Sequence, residues 1–350
     1  MGGNLFKEKT RRYFPEEYQN LENYLSKNIN KAFKYNVFHR IPYYRSKPSF
    51  GDLDFVLDIS QQPDWKNKLI EIFSLKYYKN NGTVFSFVIN DFQVDAILIN
   101  DPMLISPAVN YYSYNDISNL LGRISHRIGF KLSHAGSFII LRDSDNSTRI
   151  LSEILLSRDY TDSLNLLKMD PTVFFNGFDT TYQMFEYVVS SPYFNKDIFL
   201  LDNRNHRAKV RDKKRVIYKE FLQWIEENNI QSNYLYDKVN DHGGHGIREP
   251  FFEEIVEYIK NTQNGRDLQQ EIQNILENNA INEQFKSKYF NGVIIGEQTG
   301  LVGKELGECM SIIKQHPFFP ETAMEKKYFM NIFSPENALS EWIKWYNSKQ

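Results

Sequence analysis

Between residues 51 and 57 the chain reads Gly-Asp-Leu-Asp-Phe-Val-Leu, an apolar run broken at alternate positions by two acids. A period of two belongs to a β-strand, so Asp52 and Asp54 project from one face with Cα atoms about 7 Å apart, while Leu53 and Phe55 face a core. Two neighbouring carboxylates raise each other's pKa unless a cation neutralises them. A third isolated acid, Asp95, stands 41 residues beyond Asp54 within Val94-Asp95-Ala96-Ile97. Placed beside the first strand, it completes a set of oxygen ligands that suits Mg²⁺, with room for two ions about 3.5–4 Å apart.

The surrounding pattern predicts an α+β fold. Residues 15–33 read as a helix, with Pro15 in its first turn and Tyr18, Leu21, Leu25, Ile29 and Phe33 spaced by three and four. A short strand is expected over 36–44, a polar loop over 45–51 and a strand over 52–59. Pro63 and Asp64 open a second helix, with Trp65, Leu69, Ile72 and Phe73 on one face. Runs 83–89 and 92–99, separated by Asn90 and Asp91, predict a tight hairpin. A helix over 116–128 and a strand or hairpin over 131–141 follow. Beyond residue 150 strand signals are few, and helices are expected over 180–190, 212–228, 250–261, 266–279, 303–314 and 335–347. The predicted division is a mixed-sheet catalytic domain over 1–145 and a mainly helical domain over 146–350, which binds substrate or nucleic acid.

Phe50-Gly51-Asp52-Leu53-Asp54-Phe55-Val56 followed by Val94-Asp95 resembles the signature of the DNA polymerase beta-like nucleotidyltransferase superfamily. Members place a helix, a loop, a strand with Asp-x-Asp and a later strand with the third Asp in this order. The resemblance implies nucleotidyl transfer from an NTP, with two Mg²⁺ ions as cofactors and Mn²⁺ as a substitute. It implies that Asp52 and Asp54 bridge both ions, and that Asp95 serves the ion at the acceptor hydroxyl. Where the family carries Gly-Ser ahead of the acid pair, this chain has Arg40-Ile41-Pro42-Tyr43-Tyr44-Arg45. Nucleotide contacts are expected instead from Arg45, Lys47, Ser49 and Gly51, with Ser46 in the same loop. Stretches beyond the site, including Leu120–Gly129, resemble nucleotidyltransferases of large phages.

The net charge is only −2, so attraction to nucleic acid must come from local patches. One such patch is Asn203–Lys219, where Arg204, Arg207, Lys209, Arg211, Lys213, Lys214, Arg215 and Lys219 surround the single acid Asp212. A phosphate-backbone interface and a solvated helix surface account for this run equally well. Arg123, His126, Arg127 and Lys131 form a smaller group. Of these, Arg123 is the candidate for the triphosphate, although ordinary surface cations read the same way. Asn291–Gly307, a glycine-containing turn leading into a helix, resembles the C-terminal element of tRNA nucleotidyltransferases and poly(A) polymerases; a plain glycine cap fits as well. His242 and His245 sit in a Gly/His-rich loop over Val239–Gly246 without the cysteines of a zinc site.

The single cysteine, Cys309, excludes an internal disulfide framework and is expected in a core. No signal peptide, myristoylation pattern or membrane span is read in the chain, so a cytoplasmic location is expected. The 27 Phe and 22 Tyr suggest base stacking or, more economically, an AT-rich phage or bacterial genome. The favoured acceptor is an RNA 3′ end, for which Arg207, Lys209, Arg211, Lys213, Lys214 and Arg215 would supply binding. The alternatives are DNA gap filling by a repair polymerase resembling polymerase beta, a nucleic-acid-binding or regulatory pseudoenzyme, and nucleotidyl transfer to a protein.

Overall fold

The computed structural model describes residues 5–6, 8–203, 206–236 and 244–349. Arg204 and most of the Gly/His-rich loop, His242 included, lie outside the described residues. The chain forms two compact units, 1–258 and 259–350.

The first unit opens with α1 (Pro15–Phe33), which coincides with the predicted helix and ends at Lys34 in the left-handed conformation. β1 (Phe38–Arg40) is shorter than the predicted strand. The chain beyond it contains Pro42 and Pro48, which have no N–H for a ladder. Then come β2 (Asp52–Asp58), α2 (Trp65–Phe73), β3 (Tyr78–Asn81), β4 (Val84–Ile89), β5 (Phe92–Ile99), α3 (Ile105–Tyr112) and α4 (Ile117–Ile128). Five strands make one mixed sheet in the order β1-β2-β5-β4-β3, with β2 and β5 parallel and the other pairings antiparallel. Asn90 and Asp91 both adopt positive φ in the β4–β5 turn, which matches the twist of a two-residue hairpin. The unpredicted β3 is exposed along its length and carries no apolar alternation.

The two faces of this sheet differ, and that difference makes the site. On one face, α1 and α2 pack Leu25, Ile29, Phe33 and Leu69 against Leu53, Phe55, Phe85, Phe87 and Val94. Each such fully buried side chain contributes about 1.5–3 kcal/mol, which anchors β2 and β5 firmly. On the opposite face, Val56, Ile97 and Ile99 pack with Ala108 of α3 and with Ile41. Asp52, Asp54 and Asp95 stand on that same face outside this apolar cluster, where the strands remain open to a cleft.

A second sheet, antiparallel in the order β6-β7-β8, joins β6 (Lys131–Ser133), β7 (Gly136–Arg142) and β8 (Ile150–Ser157). β8 lies where the sequence shows helical texture. Adjacent Leu155 and Leu156 break its alternation, and its ladder with β7 has two register shifts. α5 (Tyr160–Leu166), α6 (Pro171–Asn176), α7 (Thr181–Val189), α8 (His206–Asp212) and α9 (Val216–Glu227) follow, then α10 (Glu249–Thr262), which runs past residue 258, where the unit ends.

The described elements of the second unit are helical: α11 (Leu268–Lys288), α12 (Gly292–Thr299), α13 (Gly303–Ile313), α14 (Ala323–Ile332) and α15 (Pro335–Asn347). Phe285, Ile295, Ile313, Phe329 and Trp342 form its core, and Cys309 is buried among them. The glycine-containing element of 291–307 supplies α12 and the start of α13. Among the described residues no helix is long and apolar enough to cross a membrane.

Candidate active site

Parallel pairing of β2 and β5 sets Asp54 opposite Asp95 and Asp52 opposite Gln93. One carboxylate oxygen from each of Asp52, Asp54 and Asp95 lies within 4.8 Å of the other two. Asp54 is open to the cleft, and Asp52 and Asp95 are half-buried. Asp95 Oδ2 accepts a hydrogen bond from Gln93 Nε2 at 2.9 Å, whereas its Oδ1 is buried with no hydrogen-bond partner. Leaving a buried acceptor unsatisfied costs about 1–3 kcal/mol, and more for a charged group. Three acidic oxygens with one idle lone-pair set fit a hard divalent cation.

The electrostatics agree with that fit. Although Asp54 is open to the cleft, the protein packed around it screens it from bulk water, and this, reinforced by Asp52 and Asp95, raises its carboxyl pKa, with Lys47 opposing. Burial also raises Asp95; hydrogen bonds from Ser86 and Gln93 pull it back, and Asp52 adds to the rise. A carboxyl whose folded pKa is raised holds its proton more tightly when folded. Stability therefore falls as pH climbs from the ordinary value of 3.8 through the raised one. In metal-free buffer the wild-type protein is expected to lose melting temperature over that window relative to the Asp54→Asn variant. Mg²⁺ should close the gap. Parallel melting curves with and without Mg²⁺ check this, and identical pH dependence in both proteins would contradict it.

The acids open into a cleft of about 580 Å³. Lys47, Ser49 and Gly51, from which nucleotide contacts are expected, are among the residues that line it. Lys47 Nζ donates to Asn115 Oδ1 at 3.1 Å and sits 4.6 Å from the centre of the Phe50 ring. Burial lowers its pKa; Asp52 and Asp54 oppose the shift, and nearby Arg12 adds to it. Arg12 braces the same loop, donating from Nε to Ser49 Oγ at 3.0 Å and from Nη2 to the Ser49 carbonyl at 2.9 Å.

The other predicted cations lie elsewhere. Arg45 bonds to Asp179 at 2.6 Å and to the Asn176 carbonyl. Both side chains of the Arg45–Asp179 pair are more than half exposed, so solvent screens this link and it is easily exchanged. Arg123 instead pairs at 2.6 Å with Asp212, which is fully buried. In the basic segment Lys209 pairs with Asp202, Arg211 with Asp212 and Arg215 with Asp116, while Arg207, Lys213 and Lys214 are exposed.

Sequence reasoning missed Arg12, Tyr112, Val216, Ile217 and Glu220, which also line the cleft. No local pattern marks them, because they come from the segment before α1, from α3 and from α9. Gln93 was also missed, though it carries a signal: it is the one other polar residue in the apolar run of β5.

No family model matches the chain, and no curated protein matches it. Two solved structures of Leishmania infantum polymerase beta, a ternary primer–template complex and a ternary gap complex, are similar to it at a TM-score of 0.32 and 16% identity. The similarity covers 39% of this chain, and 60% and 53% respectively of theirs, less than two thirds in both cases.

Proposed function

We propose that this chain is a metal-dependent nucleotidyltransferase that moves a nucleoside monophosphate from an NTP to an RNA 3′ end and releases pyrophosphate. In this reading residues 1–145 carry the catalytic groups and residues 146–350 serve the acceptor. The observation that carries it is the convergence of Asp52, Asp54 and Asp95 beside Lys47 and Arg12 in one cleft. Three acids whose oxygens converge suit bound cations, and Lys47 and Arg12 in the same cleft suit a polyphosphate.

Asp52, Asp54 and Asp95 are the residues that would hold Mg²⁺. Divalent ions held there would neutralise phosphate charge and lower the pKa of the acceptor hydroxyl. Lys47 and Arg12 donate to phosphate oxygens, while the Ser49 hydroxyl fixes Arg12. Tyr112, Val216 and Ile217 offer apolar walls for the base and sugar. The acceptor oxygen bonds to the α-phosphorus as the bridging bond to the β-phosphate breaks. Positioning and fixed charge supply most of the rate.

The acceptor assignment draws support from the chain leading into α9. Exposed Arg207, Lys213 and Lys214 lie just before Val216 and Ile217 of the cleft wall. Such a track favours a phosphate backbone, with affinity that falls steeply with salt.

Incubation with labelled NTPs or dNTPs, Mg²⁺ and RNA, primed DNA or protein tests the proposal. Label at RNA 3′ ends is the expected result. Label confined to primed DNA or to protein would replace the acceptor assignment, and no transfer to any acceptor would sink the function. Lys47→Ala should raise the KM for NTP roughly 10- to 100-fold, the worth of a charged hydrogen bond, without lowering the melting temperature much. An unchanged KM would remove Lys47 from the nucleotide site.

A further inference from the structure

We infer that Gln93, held by the N-terminal segment, is a positioning residue that orients Asp95 for metal binding; this rests on the reading of the acid triad as a metal site. Gln93 is buried, with 4% exposure, and stands on the same strand face as Asp95, in register with Asp52 across the parallel pairing. Both ends of its amide are engaged. Nε2 donates to Asp95 Oδ2 at 2.9 Å, and Oε1 accepts from the Leu5 backbone N–H at 3.0 Å.

The second bond decides the direction of the first. An amide side chain can turn over and exchange its oxygen and nitrogen. A backbone N–H only donates, so the Leu5 contact requires the oxygen of Gln93 on that side and sends the NH₂ towards the carboxylate. One oxygen of Asp95 is thereby tied down, with Ser86 as a second partner of the carboxylate, while Oδ1 is buried without a hydrogen bond. A freely rotating carboxylate would not keep one oxygen within 4.8 Å of those of Asp52 and Asp54.

The segment responsible is itself well anchored. Arg11 N–H donates to the Asp91 carbonyl at 2.9 Å, and the Arg11 side chain bonds to Asp91 Oδ2 at 3.0 Å. Tyr13 and Phe50 exchange backbone hydrogen bonds at 3.0 and 2.9 Å. Arg11 and Tyr13 thus grip the β4–β5 turn and Phe50 just ahead of β2, so residues remote in sequence from Asp95 hold its partner Gln93 through Leu5.

The test uses the full chain and Mn²⁺ alone as the probe, with affinity read by electron paramagnetic resonance and no nucleotide present. Gln93→Met keeps the length and packing and removes both hydrogen bonds. It should weaken Mn²⁺ binding about 10- to 100-fold, the usual consequence of losing a partner behind a metal ligand. Leu5→Pro leaves Gln93 in place and removes only the N–H that fixes its amide. It should weaken binding about five-fold, the worth of one neutral hydrogen bond. Melting curves identify any variant that has lost its fold, and Leu5 is 43% exposed, so little packing is lost with its side chain. Folded variants that bind Mn²⁺ within twofold of wild type, beside an Asp95→Asn control that has lost binding, would overturn the role of Gln93. An Asp95→Asn control that still binds like wild type would overturn the metal site itself.

Discussion

Asp95→Asn and Asp54→Asn are each expected to reduce nucleotidyl transfer at least about a thousandfold, because removing a ligand charge from a two-ion site forfeits several kcal/mol of transition-state stabilisation. Asn is nearly isosteric with Asp, so the strand and its apolar back face stay packed. Neither change should lower the melting temperature of the metal-free protein. Burial and the neighbouring acids already hold both carboxyls above their ordinary range, and neutralising either one relieves that repulsion. Loss of activity together with retained or increased stability is the signature of a site built for a ligand at the expense of the fold. The double variant should be no worse than either single one, since the ligands act as a unit. Single-turnover assays at saturating NTP and metal check this, and a variant retaining more than about a tenth of wild-type activity would contradict a ligand role for that acid.

The sequence showed the site more clearly than its surroundings, for a physical reason. Asp52, Asp54 and Asp95 are legible because an acid in an apolar strand has few explanations, and alternation assigns it a face without a structure. α1 is legible because its apolar stripe spans the whole helix, and the β4–β5 hairpin because Asn90 and Asp91 tolerate positive φ. β8 and β3 were not legible, since one lacks clean alternation and the other lacks apolar residues. The cations were hardest to read. Arg45, Arg123 and Arg215 look alike in a sequence, but their acidic partners lie 134, 89 and 99 residues away. Only the folded chain distinguishes a cation that lines the cleft, such as Lys47, from an internal brace. Arg12 illustrates the converse: it reaches the cleft from before α1 and nothing near it in sequence announces a site.

Asp212→Ala is expected to destabilise the first unit by about 3–5 kcal/mol, the cost of leaving one member of a buried ion pair without the other. Asp212 is fully buried; its Oδ2 accepts from Arg123 Nη2 at 2.6 Å and its Oδ1 from Arg211 Nε at 3.0 Å. Arg123 is itself 13% exposed, and its Nε already lacks a partner. Deleting the carboxylate therefore strands a largely buried guanidinium without its acid. The melting temperature should fall on the order of 10 °C. The double replacement Arg123→Met with Asp212→Leu should recover much of the loss, because an apolar pair of similar volume avoids the desolvation cost altogether. That rescue also decides what Arg123 does. If its guanidinium only ties α4 to α8, transfer activity returns in the double variant along with stability. If it contacts the triphosphate, stability returns and activity does not. The geometry favours the first outcome, because an arginine already committed to a buried carboxylate would have to abandon it to meet a nucleotide.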